Sequence, residues 1–398
     1  MIPLLYKTPE ECCGCQACSN ICPKDAISFK EDRYGFLFPE VDENLCIGCG
    51  RCESVCAFQN HEKEDRRTPI KGYAAVLQDE NRLKQSTSGG VFWAVAEWVI
   101  GHGGCVFGVV WDAEMNAVHT CAETLEQLVP MQGSKYVQSN VGNAYKRVKE
   151  ELGKNRWVLF SGTPCQVAAL RCFLGEKEYE KLIAIDLVCH GVPNNAYFHN
   201  MLSSLEKEYK GKIVDLHFRH KNPDWLNESI RIKFKKGAKY FTKNIFHLES
   251  LYYMTFGFSN QCCRQSCARC KYASSMRVGD ITIGDFWGYK KAGIKLAYKK
   301  GLSCLLVNNE KVLHILPELK LSFQEVPLEK VINGNAQLMH PNYKDERWDK
   351  VMDSFAKGGY EKLEMEFRQR NAKLIRRFSI MKLLPPVLLA YLRRIKYS

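Results

Sequence analysis

Between residues 71 and 335 the apolar positions alternate between short continuous runs and helical periods. Tyr73–Leu77, Cys105–Trp111, Trp157–Phe160 and Leu182–Val188 predict buried strands, and Val91–Ile100, Val141–Leu152 and Gln166–Leu174 predict helices. Strand–helix–strand alternation of this kind predicts an α/β domain with a mixed, partly parallel sheet. Ile213–His220 then predicts a strand, and Ser229–Phe234 with Tyr240–Lys243 predicts a hairpin turning at Lys236-Gly237. Gly279–Gly288 is a strand bounded by glycines, with Asp280 and Asp285 at its ends; such acids serve turns more often than ligands. Residues 1–60 carry a different pattern, in which Ala26–Phe29 and Gly35–Phe38 alternate as two small strands. His61–Thr68 is a charged run without apolar period, so residues 61–70 are expected to be a solvated linker. The pattern thus divides the chain into a small α+β module (1–60), the linker, a core domain (71–335) and a basic helical tail (336–398).

Composition changes this picture at one point: 19 cysteines among 398 residues exceed what packing uses. The N-terminus has no basic segment followed by an apolar run, and no stretch reaches the ~20 apolar residues of a membrane span. A cytoplasmic chain is therefore expected, in which grouped cysteines act as metal ligands rather than disulfides. The net charge of +13 is uneven. Residues 357–398 hold +8 of it, leaving +5 for the rest, which argues against a broad nucleic-acid-binding face. The tail carries an apolar stretch, Leu383–Leu392, interrupted by Pro385 and Pro386 and flanked by lysines and arginines. It is a candidate for peripheral contact with the inner membrane surface; a helix packed on the body with solvated charges is the favoured alternative.

The small module is an internal repeat. Cys12, Cys15, Cys18 and Cys22 follow C-x2-C-x2-C-x3-C, and Cys46, Cys49, Cys52 and Cys56 repeat it 34 positions later. Three thiolates on a tight loop cap three irons of one cubane, and the fourth cysteine ligates the other. The expected sets are Cys12, Cys15, Cys18 and Cys56 for one [4Fe-4S] cluster, and Cys46, Cys49, Cys52 and Cys22 for the second. Pro23 follows Cys22 as the ferredoxin pattern expects, whereas Ala57 follows Cys56. Zinc sites use separated CxxC pairs rather than four cysteines in eleven residues, which disfavours zinc. Cys13 breaks the spacing and is expected to be a bystander.

In the core domain, Ser161–Gln166 (SGTPCQ) and Cys189–Pro193 (CHGVP) each follow a predicted strand. If those strands are parallel neighbours, Cys165 and Cys189 face one crevice at the sheet edge where α/β folds bind ligands. Cys267 and Cys270 form a CxxC pair, open by itself to zinc, dithiol or iron–sulfur chemistry. Cys105, Cys121, Cys172 and Cys304 lie in apolar runs and are expected to be core residues. Ser86–Gly90 (STSGG), just before a predicted helix, is a candidate phosphate-binding turn, though a plain helix cap fits equally. Neither GxGxxG nor a Walker A sequence is present.

These motifs together resemble the beta subunit of the coenzyme F-420-reducing hydrogenase and its relatives. The similarity is carried by STSGGVF (86–92), SKYVQS (134–139), FSGTPCQ (160–166), LVCHGVP (187–193), SCARC (266–270) and GDITIGDFWG (279–288), in family order. The resemblance implies an iron–sulfur flavoprotein with a flavin-binding domain holding FAD, acting on coenzyme F-420 or, as in 7-hydroxymethyl chlorophyll a reductase, on another small-molecule substrate. It implies a third [4Fe-4S] cluster on Cys165, Cys189, Cys267 and Cys270, with Cys262 or Cys263 as alternative fourth ligands. It also implies a flavin site around Ser88, Gly89, Gly90, Lys135 and Thr163. The expected function is an oxidoreductase passing electrons between a redox partner, either a ferredoxin or a partner subunit, and substrate. An electron-transfer subunit without its own substrate chemistry is the alternative. Flavin accepts two electrons and releases them singly, which is the chemistry such an assembly uses.

Overall fold

The computed structural model describes residues 2–59, 66–175, 177–221, 225, 229–381 and 388. Their strands in chain order are β1 (Ile27–Glu31), β2 (Leu37–Val41), β3 (Lys71–Leu77), β4 (Cys105–Trp111), β5 (Ala117–Ala122), β6 (Val158–Gly162) and β7 (Leu182–Leu187). After them come β8 (Lys212–His220), β9 (Ser229–Lys236), β10 (Lys239–Phe246), β11 (Ile281–Asp285), β12 (Ser303–Val307) and β13 (Leu321–Glu325). β1 and β2 form an antiparallel pair in the N-terminal module. Eight strands form one sheet in the order β13-β3-β12-β11-β7-β6-β4-β5, and β10-β9-β8 form a third sheet.

The large sheet is mixed. β4, β6, β7 and β11 run parallel, while β5, β12, β3 and β13 join antiparallel at its edges. Alternation along the strands sends Phe107, Val158 and Phe160 to one core, under the helices Ala144–Gly153 and Pro164–Leu174. Val106, Leu159 and Ile183 go to the other core, shared with the helix Val91–Gly101. Covering both faces with helices lets the central strands be apolar throughout. The third sheet packs its Ile232 and Phe234 with the helix Asn195–Tyr209 in a separate core.

Two stretches differ from expectation. The helix Glu346–Arg370 belongs to the body: Trp348, Met352, Tyr360 and Leu363 are buried in the third core, and the Trp348 indole donates to the Cys263 carbonyl at 2.7 Å. The expected tail thus begins well after residue 336. A helix Ala372–Met381 follows it, and the apolar stretch Leu383–Leu392 lies, Leu388 apart, outside the described residues. Among the described residues no helix is long and apolar enough to cross a membrane.

The charge run is the second. Residues 61–65 are outside the described set, but Arg67 is not solvated: its guanidinium pairs with the fully buried Asp280 at 2.8 Å. Asp280 also meets Arg171 at 3.1 Å and Lys311 at 3.2 Å and accepts the Ala184 amide at 2.8 Å. Asp280 is therefore an ion-pair hub tying the linker's end to β7 rather than a plain turn residue.

Candidate functional site

The cysteine loops of the two repeats share one backbone. Gly14 and Gly48 have φ +68° and +67°, and the next loop position takes left-handed φ in both, +64° at Gln16 and +69° at Gly50. Each loop then enters a short helix, Ala17–Ile21 and Arg51–Ser54. A glutamine in left-handed conformation is uncommon, and its side chain explains it: Gln16 Oε1 accepts the amides of Val141 at 2.7 Å and Gly142 at 3.0 Å.

Cys12, Cys15, Cys18 and Cys56, with Cys13 and Cys52 beside them, line one cavity of about 220 Å³, and each of Cys18 and Cys56 feels the charge of Cys12 and Cys15. Cys22, Cys46, Cys49 and Cys52 line a second, smaller one. The second site lies outward, with Cys49 exposed beside Leu45 and Ile47, 51% and 60% exposed. The first faces the body. Tyr145 donates to the Cys15 carbonyl at 3.0 Å, Gln138 to the Cys13 carbonyl at 3.0 Å, and Asn20 to the Gly142 carbonyl at 2.7 Å.

In the core domain β6 and β7 are parallel neighbours in register, Phe160 opposite Ala184. β6 ends in a tight turn because Thr163 caps the next helix, Pro164 starts it, and Gln166 returns its Oε1 to the Thr163 amide at 3.0 Å. This sets Cys165 on the first turn. Cys189, Cys267 and Cys270 lie in its neighbourhood: Cys267 feels the charge of Cys189, Cys270 and Cys165, and Cys189 that of Cys165 and Cys270. Burial, followed by neighbouring thiols, pushes Cys56 up to about 11, Cys189 to about 12 and Cys270 to about 11. Thiols crowded into a dry site ionise only with a cation among them, as iron–sulfur ligation provides. Among the described residues, no three His, Cys, Asp or Glu side chains are grouped to hold a metal ion. Cys263 also lies near Cys189 and Cys267, while Cys262 is buried among the aromatic residues of the third core.

Cys13 stays outside the ligand sets, but it is buried with Cys15 in one core against which Cys165 packs. The Cys165 thiol is held below its ordinary value, first by the neighbouring Cys13 thiol, against burial, with help from the Thr163 hydroxyl at 3.2 Å. The thiol groups of module and core thus pack into one apolar core. Spacing rules discard a residue adjacent to a ligand, so the motif itself hid it.

The residues expected around flavin have intramolecular roles here. Gly89 lies against the sheet, where a Cβ would sit 2.1 Å from the Ala75 carbonyl oxygen, and its amide donates to Ser303 Oγ at 2.8 Å. Gly90 caps the helix Val91–Gly101 with φ +82°. Ser88 Oγ donates to the Leu302 carbonyl at 2.6 Å. Lys135 Nζ donates to the carbonyls of Pro130, Gln132 and Gly133, and burial lowers its pKa to about 7. Thr163 caps its helix.

Around them, however, the sequence motifs come together with residues that sequence reasoning missed. Ser134 donates through both its amide and hydroxyl to Thr87 Oγ1, at 2.8 and 3.0 Å. Arg219 pairs with Asp285 at 2.9 Å, both nearly buried, and Tyr136, His190 and Lys221 all feel that pair. Lys221 donates to the Ser88 carbonyl at 2.6 Å, and burial lowers its pKa to about 7. Asp285 Oδ1 is buried with no hydrogen-bond partner, an orphaned acceptor of the kind a polar ligand satisfies. Arg219 and Lys221 lie on β8 and just past its end, in a strand whose sequence carries no motif.

Residues 155–328 match the C terminus of the coenzyme F420 hydrogenase/dehydrogenase beta subunit, and residues 11–60 match a 4Fe-4S dicluster domain. Residues 155–328 are thus a domain of the coenzyme F420 hydrogenase/dehydrogenase beta-subunit family, joined to a ferredoxin-type module at residues 11–60. The chain is 24% identical over 248 residues to a subunit of the F(420)H(2) dehydrogenase of Methanosarcina mazei, across 58% of this chain and 68% of that one. Its module is 36% identical over 64 residues to the 7Fe ferredoxin of Hydrogenibacillus schlegelii, covering 16% of this chain and 76% of the ferredoxin. A chain of the F420-reducing [NiFe] hydrogenase complex from Methanosarcina barkeri aligns over 78% of this chain and 92% of its own, at 15% identity and a TM-score of 0.43. With these two domains, the protein is an iron–sulfur oxidoreductase component.

Proposed function

We propose that this protein is an iron–sulfur flavoprotein oxidoreductase that passes electrons between a redox partner protein and a substrate held beside FAD. The observation that carries the proposal is the burial of Cys13 and Cys15 in one core with Cys165 packed against it, which sets the module's first thiol group beside the core's. When bound, the clusters would carry single electrons and FAD would exchange them for a two-electron hydride.

In this reading Cys12, Cys15, Cys18 and Cys56 hold one cluster, Cys22, Cys46, Cys49 and Cys52 a second, and Cys165, Cys189, Cys267 and Cys270 a third. The flavin crevice is bounded by Ser88, Gly89, Gly90, Lys135 and Thr163 and completed by Arg219, Lys221 and Asp285. Arg219 and Lys221 supply positive charge for a phosphate-bearing ligand, and the orphaned Asp285 oxygen accepts a donor from it. The name of the Methanosarcina mazei relative makes coenzyme F-420 the first substrate to try. Exposed Cys49, Leu45 and Ile47 give a partner protein access to the second cluster, and the basic tail is a candidate for contact with an anionic membrane.

The test is chemical analysis of the full-length protein purified without oxygen. About twelve irons per chain with acid-extractable FAD are expected. About twelve irons without flavin would instead favour an electron-transfer subunit lacking substrate chemistry, and about eight irons would remove the third cluster.

A further inference from the structure

Two arginines are almost completely buried, Arg264 at 1% exposure and Arg277 at 2%. Arg277 has its counter-ion, Asp186, at 2.8 Å. Arg264 has none among the described residues. It follows the Cys262-Cys263 pair, is anchored in the body by its amide bond to the Val192 carbonyl at 2.9 Å, and reaches across the seam into the N-terminal module. Its Nε donates to the Cys12 carbonyl at 2.7 Å, and one terminal nitrogen donates to the Leu37 carbonyl at 2.9 Å and to Cys12 Sγ at 3.6 Å. The other donates to Gln138 Oε1 at 3.2 Å, and the guanidinium lies 4.2 Å from the ring centre of Phe38. Gly14 makes room for it: a Cβ there would sit 3.0 Å from the guanidinium nitrogen, at a backbone φ of +68°.

A guanidinium stays charged in a protein, and burying it beside neutral carbonyls and rings is unfavourable unless an anion is near. The anion within its reach is a sulfur, since Cys12 Sγ lies 3.6 Å from its terminal nitrogen and Cys12 belongs to the first-repeat ligand set. We propose that Arg264 is the built-in counter-charge of the first-repeat cluster, holding that cluster's reduction potential up. The proposal rests on the assignment of Cys12, Cys15, Cys18 and Cys56 to one cluster.

The physical argument is a difference between two oxidation states. A four-iron cubane on four thiolates is anionic, and accepting one electron adds one negative charge. No proton need follow, because Arg264 is already protonated. A fixed cation at Cys12 therefore stabilises the reduced cluster more than the oxidised one. Burial works in the opposite direction by disfavouring added charge, so the buried first-repeat cluster needs a counter-charge that the outward second one, next to water, does not. Arg264 acts through the ligand sphere and is a positioning and potential-setting residue, not a catalytic one.

The test is a redox titration of the full-length holoprotein with a one-electron reductant, followed by electron paramagnetic resonance. A Cys49→Ala variant, deficient in the second-repeat cluster, identifies which signal belongs to which repeat. Arg264→Gln is expected to lower the first-repeat midpoint by the equivalent of about tenfold in the reduced-to-oxidised ratio, ~59 mV for one electron. The second-repeat midpoint stays, and Arg264→Lys, which keeps the charge, falls between. An unchanged first-repeat midpoint in Arg264→Gln at full iron content overturns the proposal. If Arg264→Gln cannot hold the cluster, Gln138→Glu decides. It sets a carboxylate against the guanidinium while leaving the bonds to Cys12 and Leu37, and it must lower the same midpoint; an unchanged value again overturns the proposal. Failure of the ligand assignment looks different: Cys56→Ala would leave the first-repeat signal intact in the otherwise unaltered protein.

Discussion

The residues that organise this molecule are often those with the least sequence signal. Cys13 sits in no motif, yet it is buried where the two thiol groups pack into one core. Arg264 has its partners in residues 12, 37 and 138, and no local pattern announces that. Asp280 stood out only as a strand-end acid, because its partners Arg67, Arg171 and Lys311 are far away in the chain. Burial, the largest single influence, pushes the Asp280 pKa up, but Arg171, Lys311, the Ala184 amide and Arg67 together hold it below the ordinary value of 3.8. A depressed carboxyl contributes stability that is fully present above its unfolded pKa and is lost as pH falls through the folded one. Asp280→Asn removes the buried counter-charge shared by Arg171, Lys311 and Arg67, of which Arg67 keeps the exposed Glu178 at 2.8 Å, and is expected to cost roughly 3–5 kcal/mol at neutral pH. The variant should also lose part of the acid-side slope in stability between about pH 4 and the folded pKa below it. Denaturant unfolding at pH 7 and at decreasing pH measures both. A loss under about 1 kcal/mol at pH 7 would mean that Asp280 is a plain turn residue after all.

At the scale of elements, periodicity served well where strands were long and buried. Cys105–Trp111 has the expected limits, and the parallel pairing of β6 with β7 follows from the crossover helix between them. It failed for short strands. β12 is a buried run of five, too short for periodicity to tell strand from helix, and β13 shows one fully buried residue in five. The helix Asn195–Tyr209 was legible but overlooked: Tyr197, Phe198, Met201, Leu202 and Leu205 lie on one face at helical spacing. The cysteine loops were the most legible elements, since thiolate ligation imposes spacing and the repeat copies it. That logic makes a prediction about which loop each fourth cysteine serves. Cys56→Ala should deplete the first-repeat cluster, and Cys22→Ala the second, each removing up to about four of the irons. Iron analysis with paramagnetic resonance separates them, and loss of the second-repeat signal on Cys56→Ala would refute the crossed arrangement.

At the scale of the whole molecule, the module is not a bead on a string. The sequence suggested a solvated linker, but the first repeat is built into the core that also holds Phe107, Phe160 and Tyr145. Domain boundaries follow composition, whereas docking depends on single polar groups that composition does not reveal. Gln16 is the clearest of them, because the second repeat supplies its control. Gly50 occupies the equivalent left-handed position on the outward face, where nothing docks among the described residues, while Gln16 accepts the strain to reach Val141 and Gly142. Gln16→Gly therefore fits the backbone and removes only the docking bonds, leaving the Val141 amide without its acceptor, while Gly142 keeps Asn140 Oδ1 at 2.9 Å, at a cost of about 1–3 kcal/mol. Seam opening should become roughly ten times more frequent, since 1.4 kcal/mol is about a factor of ten. The reporter is Cys13, which is buried at the seam and is no ligand in the arrangement above. Alkylation of the full-length holoprotein, followed by peptide mass spectrometry, should show Cys13 protected in the parent and modified about tenfold faster in Gln16→Gly. Cys304, buried in the central sheet and away from the seam, should be unaffected in both. Equal Cys13 rates in parent and variant would mean that the seam is held without Gln16, and equal acceleration at Cys304 would mean that the substitution loosens the fold rather than the contact between module and body.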